Sequence, residues 1–361
     1  MQLFSRIPSA AGQALFLPFL ALTVGLASCQ SNPPQSNTGT GTASPGATVS
    51  LSGAGATFPA PLYQRWFADY NKLHPNVQVS YQSVGSGAGV QQFVGGTVDF
   101  GASDVGMKPD EVAKVSRGAL LLPMTAGGIV AAYNLPDVKD LKLSRENLTA
   151  IFQGKITKWN DPKLAKDNAG VTLPDLPIAV IYRSDGSGTT ATFTKHLSAI
   201  SPDWKNGPGN GKSIQWPVGT GAKGNEGVTA QIQQTPGAIG YIEYGYAKEN
   251  NVTFASLENK AGKFVTYTPE SAAAALAKIQ LPESLMAFDP DPEGEGSYPI
   301  VTYTWVLAYK TYDNPEKAKS LKEVLKWSLT DGQKLSPDLG YVPLPAEVVT
   351  KVTAAVDTIS P

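Results

Sequence analysis

Cysteine is almost missing from this chain. Cys29 is the only one in 361 residues, so neither an intramolecular disulfide nor a cysteine-built metal site can form. Histidine is nearly as scarce, with two in the whole sequence. A metallophosphatase needs clustered His and Asp, and a serine hydrolase needs a histidine base beside a nucleophile elbow; His74 and His196 meet neither requirement. His196 falls within a helical pattern and reads as a surface or packed residue. Charge of one sign is lacking too: 29 basic residues stand against 30 acidic ones, which leaves no footprint for nucleic acid and no polybasic membrane face. A P-loop is absent, because Gly207–Ser213 has one residue too few before its Gly–Lys–Ser. No metal and no cofactor is expected.

What is present begins with a short charged region at Arg6, an apolar run Ala14–Val24 interrupted by Pro18, and Leu26–Ala27–Ser28–Cys29. The run is short for a spanning helix. The pattern resembles a bacterial lipoprotein signal, which implies cleavage before Cys29 and a lipid on that cysteine. Residues 1–28 are therefore expected to be a signal peptide. Residues 29–48, rich in Ser, Thr, Asn, Gly and Pro, are expected to be a flexible tether that stands the folded body off a membrane. The remaining length favours two lobes over one small core, and its many Gly and Pro residues suit tight turns.

Within that body, Ile178–Tyr182 reads as a buried strand running into Arg183–Ser184–Asp185–Gly186–Ser187–Gly188–Thr189. A helix follows, since Phe193, Leu197 and Ile200 recur at helical spacing. Such a turn aims the free N–H groups of a helix's first turn, and the Ser187 and Thr189 hydroxyls, at whatever lies above it. Gly186 and Gly188 permit close approach, Arg183 supplies a planar cationic fork, and Asp185 is placed to steady it. Two other turns share the design: Gly53–Pro59, carrying Thr57 ahead of a helix with Leu62, Trp66, Tyr70 and Leu73 on one face, and Gly85–Gly89, carrying Ser86. On the residues alone each of these is also readable as an ordinary helix cap.

Strands alternate with helices along the chain, with Val98–Asp104, Gly128–Tyr133, Ala238–Tyr244 and Ile300–Tyr309 as strands and Pro109–Ser116, Ser144–Gln153, Val228–Gln234 and Pro345–Val356 as helices. That alternation predicts an α/β fold with mostly parallel sheets flanked by helices. The stretch Ser201–Gly224 is polar and Gly-rich and reads as surface.

Hydroxyls, N–H groups and one guanidinium suit a bare tetrahedral oxyanion. Asp104, at the end of a strand, selects among such ions if it faces them. A buried carboxylate repels a fully deprotonated anion by several kcal/mol, yet accepts a hydrogen bond from one that keeps a proton, as phosphate does near neutral pH and sulfate does not. A helix cap or a surface acid is the plainer reading of Asp104.

In combination, Gly53–Pro61, Gly85–Ser86–Gly87, Val98–Asp104, Arg183–Thr189, Lys223–Gly227 and Pro236–Tyr241 resemble the periplasmic phosphate-binding proteins of bacterial ABC phosphate importers, from residue 49 to the C-terminus. The resemblance implies a type II-like periplasmic-binding-protein fold: two α/β lobes, joined by crossings near Ile129–Tyr133 and Pro299–Val301, that close on the ligand. Lobe I would be 49–130 with 299–361, and lobe II 131–298. Phosphate would be bound by the hydroxyls of Thr57, Ser86, Ser187 and Thr189, the N–H groups of Phe58 and Gly188, and Arg183. Asp104 would accept the ligand's proton and Asp185 would orient Arg183. Ala88 and Ser184 depart from the pattern without disturbing the site. The implied role is non-enzymatic delivery of inorganic phosphate to a membrane permease by a monomer in the periplasm or at the cell surface. The alternative is a phosphate-ester hydrolase, or a receptor for another tetrahedral oxyanion, on the same scaffold.

Overall fold

A computed structural model describes residues 48–361; the expected signal, tether and Cys29 lie outside the described residues. Eleven strands occur among them: β1 (Val49–Gly55), β2 (Val77–Ser83), β3 (Phe100–Ser103), β4 (Ala119–Tyr133), β5 (Lys142–Leu143), β6 (Ala179–Arg183), β7 (Thr220–Ala222), β8 (Ala238–Glu243), β9 (Ser256–Glu258), β10 (Phe264–Val265) and β11 (Val301–Tyr309). Eight form one sheet in the order β2-β1-β3-β11-β4-β8-β6-β7, and three form a small one, β10-β9-β5.

The long strand β4 explains the shape. Nine of its first ten residues pair with β11, Ala119 opposite Tyr309 through Gly128 opposite Val301, with Met124 left out at a bulge. Its last five pair with β8, Ile129 opposite Glu243 through Tyr133 opposite Ile239. One wing of the sheet therefore carries β2, β1, β3 and β11, the other carries β8, β6 and β7, and β4 runs through both. At the changeover the Ile129 amide donates to the Ile300 carbonyl, 2.9 Å. The fold is the two-lobe α/β fold read from the sequence. In the large sheet the parallel pairs are the outer ones, β1 with β2 and β3 and β6 with β7 and β8. The middle, β3-β11-β4-β8, is antiparallel. Strand-helix alternation predicts the parallel wings. It gives Ile300–Tyr309 as a strand but not the antiparallel place of β11 between β3 and β4.

Element by element the agreement is close at the ends of the long helices and poorer in the turns. The first helix, Ala60–Leu73, buries Leu62, Tyr63, Trp66, Phe67 and Tyr70. Leu73 is exposed instead of joining that face, because His74 ends the last turn. The helix expected over Pro109–Ser116 is a single turn, Pro109–Val112. The strand expected at Gly128–Tyr133 is the second part of β4; Pro123 and two glycines hide the first part from pattern reading. The stretch Ser201–Gly224 is not merely surface. It contains a short helix, Pro202–Asn206, and the edge strand β7, and Trp204 is fully buried.

Beneath the second wing's cradle lies an aromatic stack. Phe193 and Tyr241 are stacked at 4.4 Å, Trp216 and Tyr241 at 5.5 Å, and Phe152 meets Phe193 edge-on at 4.9 Å. Burying rings of this size contributes several kcal/mol of apolar stabilisation, and here it fixes the floor on which β6 and the next helix rest.

Candidate functional site

The three Gly- and hydroxyl-rich turns lie at the ends of β1, β2 and β6, where each strand passes into a helix, and they meet between the wings. Thr57, Phe58, Ser86, Asp104, Arg183, Ser187, Gly188 and Thr189 are all buried. Their mutual contacts cross from one wing to the other. Asn225 bridges them: its backbone amide and side-chain amide both donate to Thr57 Oγ1, 3.1 and 2.7 Å, and the side chain also reaches Thr189 Oγ1, 3.3 Å. The Gly87 amide donates to the Gly186 carbonyl at 2.7 Å. A Cβ on Gly188 would sit 2.5 Å from Ser86 Oγ and 2.7 Å from Asp104 Oδ2, so only glycine lets the two cradles close to this distance.

Each side chain is set by its own element. Ser187 caps the helix Gly188–Ile200, accepting from the Thr190 amide at 2.9 Å, which leaves its hydroxyl proton free to donate outward. Tyr241, fixed in the aromatic stack, accepts from the Arg183 amide at 3.0 Å and shares a 2.7 Å bond with Thr190 Oγ1. It thus ties the strand end to the helix start. Two further tyrosines pin the Thr57–Phe58 turn from opposite sides: Tyr246 donates to the Thr57 carbonyl and Tyr341 to the Phe58 carbonyl, both at 2.6 Å.

Arg183 is gripped by Asp185 through Nε at 2.7 Å and Nη2 at 2.5 Å, and its Nη1 reaches Thr189 Oγ1 at 3.4 Å. Burial works against the guanidinium's charge, but the bonds and charge of Asp185 hold it above its usual range. Asp185, despite its own burial, is kept below the usual carboxylate range by Arg183 and by the Gly224 amide, which donates at 3.0 Å. This pair is neutral as a whole and stays so across ordinary pH.

Asp104 differs. It is neither a surface acid nor a cap: it is 1% exposed, and β11 holds it. Thr304 Oγ1 donates to Asp104 Oδ1 at 2.8 Å, Thr302 Oγ1 donates to its carbonyl at 3.1 Å, and its own amide donates to Ser86 Oγ at 3.3 Å. Burial pushes its pKa up to about 7, against the opposing pull of Thr304, Arg183 and Ser86. The carboxyl therefore changes protonation in the range where phosphate does.

The sequence reading missed Asn225, Thr304 and Glu243. Asn225 lies in the quoted Lys223–Gly227 stretch, but the helix there was expected to begin at Val228. It begins at Gly224, which places Asn225 in the first turn and at the site. Thr304 gives no signal in sequence, being one β-branched residue among many in β11. Glu243, fully buried, caps the helix Tyr244–Glu249 through a bond from the Gly245 amide, 2.8 Å, and its own amide donates to Asn225 Oδ1, 3.0 Å. Burial raises its pKa well above normal. His196 is a packed residue, bonded through Nδ1 to the Pro290 carbonyl at 2.8 Å; His74 stacks on Tyr70 at 4.4 Å. Neither is at the cradle, so no imidazole can act there as a base.

Loops of two wings converging on a buried set of hydroxyls, amides and one guanidinium define a two-lobe solute-binding protein for a small oxyanion. The comparisons agree. The description "PBP superfamily domain" matches residues 40–332. The phosphate-binding protein PstS of Pasteurella multocida is 46% identical over 308 residues, covering 84% of this chain and 89% of that one. The protein of the same name from Methanocaldococcus jannaschii is 40% identical over 339 residues, covering 86% and 87%. Among solved structures, the phosphate-binding protein from Stenotrophomonas maltophilia superposes with a TM-score of 0.66 at 19% identity, over 85% of this chain and 93% of that one. At that identity the structure speaks for the fold alone. The chain belongs to the periplasmic-binding-protein superfamily and, within it, to the family of the PstS phosphate-binding proteins, as its sequence motifs lead one to expect.

Proposed function

We propose that this protein binds inorganic phosphate and delivers it to the membrane subunits of an ABC phosphate importer, without catalysing a reaction. The observation that carries the reading is Asp104, a buried acceptor facing a set of neutral donors and one neutralised guanidinium. Such a site rewards an oxyanion that still carries a proton. The hydroxyls of Thr57, Ser86, Ser187 and Thr189, the amides of Phe58 and Gly188, and Arg183 donate to the ligand. Asp104 accepts its proton, and Asp185 orients Arg183. Asn225 joins the Thr57 and Thr189 hydroxyls and aims them inward.

Lobe I comprises 49–130 and 299–361 and lobe II comprises 131–298. The pairing change in β4 and its bond to Ile300 support hinges at these points. Donors from both lobes meet the anion only when the lobes are together, so the ligand's preference for the closed form drives closure. No helix among the described residues is long and apolar enough to cross a membrane; the body works as a monomer in the periplasm or at the cell surface, tethered by lipid on Cys29.

Calorimetric titration of the purified body with phosphate, sulfate and arsenate tests the reading. Saturable one-to-one heat with phosphate and none with millimolar sulfate is expected. Equal response to sulfate, or none to phosphate at neutral pH, overturns it, and steady phosphate release from a chromogenic ester would establish the hydrolase alternative.

A further inference from the structure

Arg183 is already matched by Asp185, so the cradle projects little positive field beyond itself. Outside the Gly87–Gly186 contact lies a cleft of about 730 Å³ in which both glycines form part of the wall. Three lysines line it, Lys108, Lys195 and Lys212, against a single carboxylate, Glu111. That carboxylate is spoken for: Oε2 accepts from the Lys108 amide at 2.7 Å and Oε1 from Lys212 Nζ at 3.5 Å. Lys195 is the distinctive one. It stands two turns along the helix whose first turn is the Gly188–Thr189 cradle. Its Nζ lies 4.4 Å from the Phe288 ring centroid, and among the described residues no carboxylate comes within 4.0 Å of it. Partial burial holds its pKa below the usual lysine range. An anion beside it would restore the solvation this ammonium has lost.

We propose that this cleft is an outer oxyanion site, in which hydrogen phosphate is held by Lys195 and Lys212 one glycine–glycine contact away from the cradle and passes inward before the lobes close. The proposal rests on phosphate being the ligand of the cradle. It divides the work: the cradle, built of neutral donors, selects the ion, and the lysines in the cleft collect it.

Stopped-flow mixing with phosphate tests this, read by intrinsic tryptophan fluorescence, to which Trp216, stacked on Tyr182 and Tyr241, contributes. Capture followed by transfer gives an observed rate that rises hyperbolically with phosphate. Lys195→Gln is expected to raise the half-saturating phosphate concentration about twofold to fivefold, with the plateau rate within about 1.5-fold of the parent, because one partly exposed charge interaction is removed. Lys195→Arg should behave as the parent, which separates charge from packing. A rate that stays linear in phosphate, or a half-saturation unmoved in Lys195→Gln while calorimetric binding is normal, overturns the outer site and leaves the cradle untouched. A parent protein that gives neither heat nor fluorescence change with phosphate overturns both.

Discussion

Arg183 and Asp104 share one chamber but answer to different variables. Arg183 is pinned by a carboxylate that would be left buried and unmatched without it. Arg183→Ala should therefore cost about 3–5 kcal/mol of phosphate binding, read as a loss of at least a hundredfold in calorimetric affinity. Asp104 answers to pH. Its folded-state pKa, about 7, lies above the ordinary carboxylate value of 3.8, so folding favours the protonated form. Its contribution to the stability of the phosphate-free protein is complete below about pH 4, falls as pH rises through 7, and is flat above. Urea denaturation between pH 4 and 8 should show that decline, and Asp104→Asn should remove it. Glu243, also raised by burial, adds a decline of the same sign that the Asp104 variant leaves in place. The same Asn substitution turns an acceptor into a donor toward the ligand and should bring sulfate binding at least tenfold closer to phosphate binding. Sulfate rejected as strongly as before would remove Asp104 from the selectivity argument. The sequence carried the identity of these side chains but not their partners: nothing in a β-branched run marks Thr304 as the hydroxyl that holds Asp104.

At the scale of elements, the strand-turn-helix units of the cradles are local patterns, and they were readable. Capping residues, glycines and helical periodicity are decided within about ten residues of chain. The helix carrying Asn225 was read one turn short because Gly224–Gly227 gives no apolar repeat to mark its start. β4 was read at less than half its length because Pro123, Gly127 and Gly128 break the alternation, although its neighbours β11 and β8 supply the missing definition. What brings the cradles together is a long-range fit, and Gly188 is its tightest point. In Gly188→Ala the added methyl meets Ser86 and Asp104 across the cleft, while the helix itself gains from losing a glycine by about 0.5–1 kcal/mol. Phosphate affinity should fall at least a hundredfold, and the melting temperature of the phosphate-free protein should hold or rise. A parallel loss of melting temperature would mean that Gly188 matters for folding and not for closure.

For the molecule as a whole, the contacts that cross between the lobes at the cradle are polar: Thr57 with Asn225 and Tyr246, Gly87 with Gly186, Lys212 with Glu111, and Ser83 with Glu226 at 3.3 Å. Further from it, Lys248 donates to the Pro337 and Asp338 carbonyls, Tyr267 to the Gly340 carbonyl and Trp305 to the Leu285 carbonyl. Individually such bonds contribute about 1 kcal/mol or less net, so those at the cradle add little of their own to closure. An anion that accepts from both sides supplies what they lack. Phosphate should therefore do two things in one concentration range. It should raise unfolding stability by about 1.4 kcal/mol for each tenfold excess over its dissociation constant. It should also reduce the radius of gyration seen by X-ray scattering, as separated lobes come together. Sulfate should do neither. If phosphate stabilised the protein without any compaction, the closed arrangement would already dominate in solution without phosphate.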